Sequence, residues 1–224
     1  MPKNWDGIVS RHINRKLSRP LAKFLAKYPS IKPNHVTVLS LLSALASCLA
    51  FYLLQPILGG VLAQFSSILD GVDGDLATIT NRVSSFGGYL DALLDRYGDS
   101  AILAGMTYYI FATEALSVIG VLIGIAALTG SLMVSYSRVL AESNLNITFT
   151  GGFADYAANR DVRLFIIMFG GIFVAVFPTI AILAVLTNTV VLARILHAKK
   201  ATEKCKFLGD LLRRPTSIRN GLLG

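Results

Sequence analysis

Residues 70–95 read DGVDGDLATITNRVSSFGGYLDALLD, and four aspartates recur in them at helical spacing: Asp70 with Asp73, Asp91 with Asp95. Residues three or four apart share one face of a helix, so each pair presents its carboxylates a turn or less from each other. The stretch from Thr80 to Ser85, with Asn81 and Arg82, reads as a turn that folds the second pair back beside the first. Four carboxylates then converge. Oxygen ligands of this kind suit Mg²⁺, Mn²⁺ or Ca²⁺, and Mg²⁺ is commonly completed by the phosphates of a substrate.

The elements that carry these residues must be helices at membrane depth. Ile57 to Leu69 before the pairs and Ile102 to Ala112 after them are apolar. Each is too short to cross a bilayer and reaches the required ~20 residues only if the polar part is included. An aspartate at that depth costs about 2.5–3.5 kcal/mol, so four of them need water or a compensating cation. Gly71, Gly74, Gly87 and Gly88 weaken the helices they lie in. Their return is close backbone approach, by a neighbouring helix or by a ligand.

Composition agrees. In 224 residues, 54% are hydrophobic and 15% charged, with mean hydropathy +0.61, which is a membrane-embedded composition and not that of a soluble core. Cys48 lies in an apolar run and Cys205 in a basic tail, so neither a disulfide framework nor a zinc site is implied. The net charge of +8 lacks the interleaved aromatic residues of a nucleic-acid surface. No nucleic-acid partner is expected. The first apolar stretch begins near Val36, after a long basic segment, so it reads as a true span and not as a cleaved signal peptide.

Apolar runs predict six spans, at 34–54, 57–80, 84–112, 115–141, 162–177 and 179–198, with Pro56 and Pro178 at the tightest turns. Every Lys and Arg lies in residues 1–33, at Arg82, Arg96, Arg138, Arg160 and Arg163, or from Arg194 onward, and none lies near Pro56, Glu114 or Pro178. The positive-inside rule then puts both termini and the carboxylates on the cytoplasmic side. Trp5, Ile8, Val9, Ile13, Leu17, Leu21, Phe24, Leu25 and Tyr28 recur at helical spacing among basic residues. They predict an amphipathic helix in the headgroup layer, interrupted near Ser18 and Pro20. Asn144 to Asn159, with Gly151 and Gly152, reads as a cytoplasmic loop over the site, where the Asn146-Ile147-Thr148 sequon carries no information. The expected organisation is an interfacial segment 1–33, a six-helix membrane domain 34–198 and a basic, lipid-facing tail 199–224. The fold class is all-α integral membrane.

Asp70-x-x-Asp73-Gly74-x-x-Ala77 followed by Gly87-x-x-x-Asp91-x-x-x-Asp95 resembles the signature of the CDP-alcohol phosphotransferases. Pro33-Asn34-His35-Val36-Thr37 is similar to the family's opening of the first span. One signature position departs: Thr78 stands where the family has an arginine of the nucleotide site. A hydroxyl cannot neutralise phosphate, and Arg82, one turn on, is the candidate substitute. The resemblance implies that Asp70, Asp73 and Asp91 ligate metal and the donor diphosphate. It implies that Asp95 completes the cluster and acts as general base on the acceptor hydroxyl, which attacks the β-phosphorus and expels CMP. It further implies two Mg²⁺ or Mn²⁺ ions, a nucleotide site of Asp70, Gly74, Ala77, Thr78, Arg82 and Gly87, and a homodimer among membrane lipids. Asp75 and Asp99 lie outside the signature, either supporting the ligands or solvated near the headgroups.

Arg138, Arg160 and Arg163 match positions where inositol-phosphate members place basic residues, and Arg194 ends the last span. They are the expected acceptor-phosphate site, with interfacial anchoring as the alternative role for any one of them. Gly87-Gly88-Tyr89-Leu90-Asp91 through Tyr97, Asp6-Gly7-Ile8-Val9-Ser10 through Lys16, and Arg160-Asp161-x-Arg163 most resemble the subgroup joining CDP-inositol to inositol 1-phosphate. The chain reads without the soluble cytidylyltransferase domain often fused to that subgroup. The rival enzyme is a phospholipid synthase with a CDP-linked lipid donor. A cation transporter would also bury carboxylates, but the outer halves of the spans are apolar and offer no path.

Overall fold

A computed structural model describes residues 14–114, 117–149 and 159–213, and among them the fold is helical with no strand. Helix α1 is Arg15–Leu25, α2 Pro33–Tyr52, α3 Pro56–Ile79, α4 Ser85–Thr113, α5 Ser117–Leu145, α6 Arg160–Ile172 and α7 Val176–Arg213. The start of the expected interfacial helix (Trp5, Ile8, Val9, Ile13), Gly151 and Gly152 of the expected loop, and Arg214 and Arg219 of the tail lie outside the described residues.

Local chemistry sets the boundaries. Pro33 and Pro56 each open a helix at its first position, where a missing N–H removes nothing. The turn expected from Thr80 to Ser85 is present. Asn81 takes φ 52°, a left-handed conformation that asparagine tolerates, and the Arg82 N–H closes onto the Ala77 carbonyl at 2.9 Å. The Ser84 hydroxyl then caps α4 by accepting from the Gly87 N–H. Two boundaries differ from the sequence expectation. Helix α1 runs through Pro20 without interruption, because the carbonyl that proline leaves without a donor belongs to Lys16, an exposed residue. The last turn falls at 173–175, where Val174 takes φ 55°, and Pro178 sits inside the first turn of α7.

The protein is an integral membrane protein. Pro33–Tyr52, Val118–Leu145 and Val176–Glu203 are long and apolar enough to cross a bilayer. Helices α3 (24 residues) and α4 (29 residues) have the length but are interrupted by the aspartates. Helix α6 has 13 residues, a rise of about 20 Å against a ~30 Å hydrocarbon core.

Helix α2 is the centre of the site half of the bundle. Both α3 and α4 pack against it and scarcely meet each other. Ser40, Ser43 and Ser47 on α2 donate to the carbonyls of Ser66, Leu62 and Gly59 on α3, at 3.0, 3.0 and 2.7 Å. Such ladders hold membrane helices together where the lipid supplies no hydrophobic drive. On its other side α3 meets α6 backbone to backbone: a Cβ added at Gly171 would collide with the Pro56 carbonyl oxygen. Helix α5 packs on α4 and α7. The core joins Phe51, Ile102, Met106, Ile110, Leu164 and Ile180, all buried.

Helix α1 lies on α3. Buried Ala22 joins Val36, Leu69, Val72 and Leu76, while Leu17, Phe24 and Tyr28 stay about half exposed. Its start is fixed by polar contacts: the Asn14 side chain donates to Ser67 and accepts from Gln64. Ser18 donates to Asp75 at 3.0 Å, and Arg15 pairs with the same carboxylate. Asp75 therefore anchors α1.

Candidate active site

The aspartates gather between the C-terminal half of α3 and the N-terminal half of α4. One carboxylate oxygen from each of Asp70, Asp91 and Asp95 lies within 4.8 Å of the other two. Asp73 is not in that trio. It is buried on α3 and turned toward α2, where the Thr37 hydroxyl donates to it at 2.5 Å. Asp91 Oδ1 is buried with no hydrogen-bond partner among the described residues. An unpartnered carboxylate oxygen among like charges is unfavourable unless a cation joins it, and the donor set is oxygen alone. These residues fit a divalent ion such as Mg²⁺ or Mn²⁺.

A guanidinium already reaches this group. Arg160, at the start of α6, places Nη1 3.3 Å from Asp70 and 3.2 Å from Asp95. Its Nε donates to Asp99 at 3.0 Å and its Nη2 to Ser66 at 3.3 Å. Arg163, one turn deeper, donates from Nη2 to the other oxygen of Asp99 at 2.8 Å and from Nη1 to the Ser131 hydroxyl. Asn159 precedes α6 and Asp161 lies in its first turn, where the helix dipole favours a carboxylate. Asp161 accepts from Ser67 at 3.3 Å, so the start of α6 is tied to the helix bearing Asp70.

The other expected nucleotide residues line the end of α3 and the beginning of α4. Gly74 and Gly88 face open space, with no atom within 4 Å of an added Cβ. Gly71 and Gly87 are packed, against Ser18 and against Ser84 and Asn34. Ala77 is half-buried. The Thr78 hydroxyl is spent on the Gly74 carbonyl of its own helix at 2.9 Å. Arg82 donates to the Pro29 carbonyl at 3.0 Å, which ties the α3–α4 turn to the segment before α2.

The expected acceptor arginines divide. Arg160 and Arg163 share Asp99. Arg194 is buried on α7, donating to the Val134 carbonyl and to Ser137 at 3.3 Å, with the Phe149 ring 5.2 Å away. It borders a cavity of about 280 Å³ with Ser137, Leu140, Asn144 and Phe149. Arg138 lies half-buried on α5, one turn beyond Val134. Sequence reasoning missed Thr37 and did not assign Asp99. The resemblance at Pro33 to Thr37 was the available signal for the first, and the spacing of four between Asp95 and Asp99 for the second.

A family model described as CDP-alcohol phosphatidyltransferase matches residues 30–198. The chain is 42% identical over 199 residues to a bifunctional IPC transferase and DIPP synthase of Rubrobacter xylanophilus, covering 87% of this chain and 43% of that one. It is 35% identical to an archaetidylinositol phosphate synthase of Pyrococcus horikoshii, covering 77% and 86%. It thus spans less than half the length of the bifunctional relatives it matches. Among solved structures, phosphatidylinositol phosphate synthase (PgsA1) of Mycobacterium tuberculosis with CDP-DAG bound superposes with TM-score 0.70 at 25% identity, covering 82% of this chain and 94% of that one. The same enzyme with manganese and citrate gives 0.69 at 27%, covering 81% and 88%.

Proposed function

The chain belongs to the CDP-alcohol phosphatidyltransferase family, and from that premise we propose that it moves a substituted phosphate from a CDP-alcohol to an acceptor hydroxyl with release of CMP. The proposed donor is CDP-inositol and the acceptor inositol 1-phosphate. The observation that carries the reading is the trio Asp70, Asp91 and Asp95, drawn from two helices in the signature spacing and gathered within 4.8 Å.

Asp70, Asp73, Asp91 and Asp95 would hold two divalent cations, Mg²⁺ or Mn²⁺, which when bound neutralise the donor diphosphate. Thr37 fixes the face that Asp73 presents. Asp95 takes the proton of the acceptor hydroxyl, and its neighbours Arg160 and Arg96, at 3.2 and 3.5 Å, steady the carboxylate beforehand. The open flank at Gly74 receives the nucleotide, with Asp70, Ala77, Thr78, Arg82 and Gly87 around it. Because Thr78 brings no charge, the diphosphate depends on the cations more than in relatives that carry the arginine. Arg138, Arg160, Arg163 and Arg194 form the acceptor-phosphate side.

The remaining framework belongs to the same proposal. It comprises six spans with α1 in the headgroup layer, residues 1–33 and 199–224 flanking a membrane domain at 34–198, and termini and active site in the cytoplasm. The protein works as a homodimer among membrane lipids. A second reading, a CDP-linked lipid as donor, is favoured by one observation. The solved phosphatidylinositol phosphate synthase structure that superposes on this chain holds CDP-DAG, a CDP-linked lipid. Purified protein is given Mn²⁺, inositol 1-phosphate and either CDP-inositol or CDP-linked archaeal or diacylglycerol lipid, and CMP is scored. Release with CDP-inositol supports the first reading, release with lipid donors alone supports the second, and no release with any donor overturns both.

A further inference from the structure

Asp99 carries more than its place outside the signature suggests. It is buried on α4, four residues beyond Asp95, and each of its oxygens accepts from a different arginine of α6. A buried carboxylate between two buried guanidinia is not an economical way to join helices, because apolar side chains of similar size usually do as well or better. The geometry around Arg160 supplies a reason for it. Arg160 is hydrogen-bonded to Asp99 through Nε. Its Nη1 lies at ion-pair distance from Asp70 and Asp95 but makes no hydrogen bond. Asp99 and Ser66 accept hydrogen bonds from the guanidinium, while Asp70 and Asp95 pair with it as ions.

We infer that Asp99 is a positioning residue that limits how closely Arg160 engages Asp70 and Asp95, so that a divalent cation can displace it from those carboxylates. The inference rests on the reading that Asp70, Asp91 and Asp95 bind such a cation. Arginine presents a planar fork with fixed donor directions, so fixing Nε fixes how far Nη1 can advance. Without the tether, the nearest partners of a buried guanidinium are Asp70 and Asp95. It then closes onto them as a built-in competitor for the ion.

The test is Mn²⁺ binding, read by electron paramagnetic resonance on the full chain purified in detergent, with circular dichroism as the folding check. Two double variants keep the net charge of the site unchanged. Asp99→Leu with Arg163→Gln leaves Arg160 present but without its tether at position 99, and Mn²⁺ binding is expected to weaken about tenfold or more. Asp99→Leu with Arg160→Gln removes tether and competitor together, and is expected to bind Mn²⁺ at least as well as the parent. Equal affinities in the two variants overturn the inference, since a purely electrostatic or structural role of Asp99 would not distinguish them. If the first double variant does not fold, Asp99→Glu conserves charge and pushes Arg160 one methylene toward Asp70 and Asp95. Weakened Mn²⁺ binding that Arg160→Gln restores supports the inference, and unchanged binding overturns it. A parent protein that binds no Mn²⁺ overturns the metal-site reading itself, and this inference with it.

Discussion

Thr37 on α2 holds Asp73 on α3 through a buried hydroxyl-to-carboxylate hydrogen bond of 2.5 Å. The two residues are separated by 36 positions and belong to different helices, so one ligand helix takes its orientation from a neighbour. Thr37→Val keeps the shape and removes the donor. CMP release should fall about 10- to 100-fold, as for other partners that orient metal ligands, with about 1.5–3 kcal/mol lost in stability. Thr37→Ser should retain most of both. Steady-state CMP assays and thermal melts in detergent check the pair.

Asp91→Asn should separate stability from chemistry. Taking one charge from three carboxylates within 4.8 Å relieves like-charge repulsion, so the melting temperature should rise by about 2–4 °C per kcal/mol regained. CMP release should fall at least about 100-fold, and Mn²⁺ should no longer stabilise the protein. A variant that keeps full turnover would remove Asp91 from the ligand set.

Two glycine substitutions should behave in opposite ways. Gly74→Ala meets no atom within 4 Å and gains about 1 kcal/mol of helix propensity. It should be as stable as the parent or more so, while the donor KM rises, because the added methyl enters the nucleotide's space. Gly105→Ala would bring its Cβ 2.7 Å from the Cys48 carbonyl oxygen. Helices α2 and α4 must part, at a loss of about 1–3 kcal/mol. Melts and donor titrations on both variants discriminate the two sites.

Thr78→Arg restores the residue type the signature expects. Thr78 is exposed and its hydroxyl bonds only within its own helix, so stability should change by no more than about 0.5 kcal/mol. The donor KM should drop several-fold with kcat little changed, since a guanidinium adds charge to phosphate binding that a hydroxyl lacks. An unchanged or higher KM would mean that this chain's nucleotide does not approach residue 78.

Much of this arrangement was legible in the residues themselves. The aspartate spacing and the Thr80–Ser85 turn are local signals, and local signals put Asp70, Asp91 and Asp95 on adjoining helices. What could not be read were the partners brought in from a distance. Asp73 gives one oxygen to Thr37, Asp75 anchors α1 through Ser18 and Arg15, and Arg82 is occupied by Pro29. Each depends on how two helices are rotated against each other, which hydrophobic periodicity leaves nearly free when all faces are apolar. Pro20 misled for a related reason: the carbonyl it leaves without a donor belongs to exposed Lys16, so the defect is not buried and the helix runs on.

Because α3 and α4 both rest on α2 and hardly touch each other, the width between the two ligand-bearing helices is set by a spacer that carries no ligand. Side chains at Ser40, Ser43, Ser47 and Ala44 gauge that width, as a shim sets the opening of a pair of jaws. Substitutions there would retune how large a substrate the jaws admit while every reacting group stays the same.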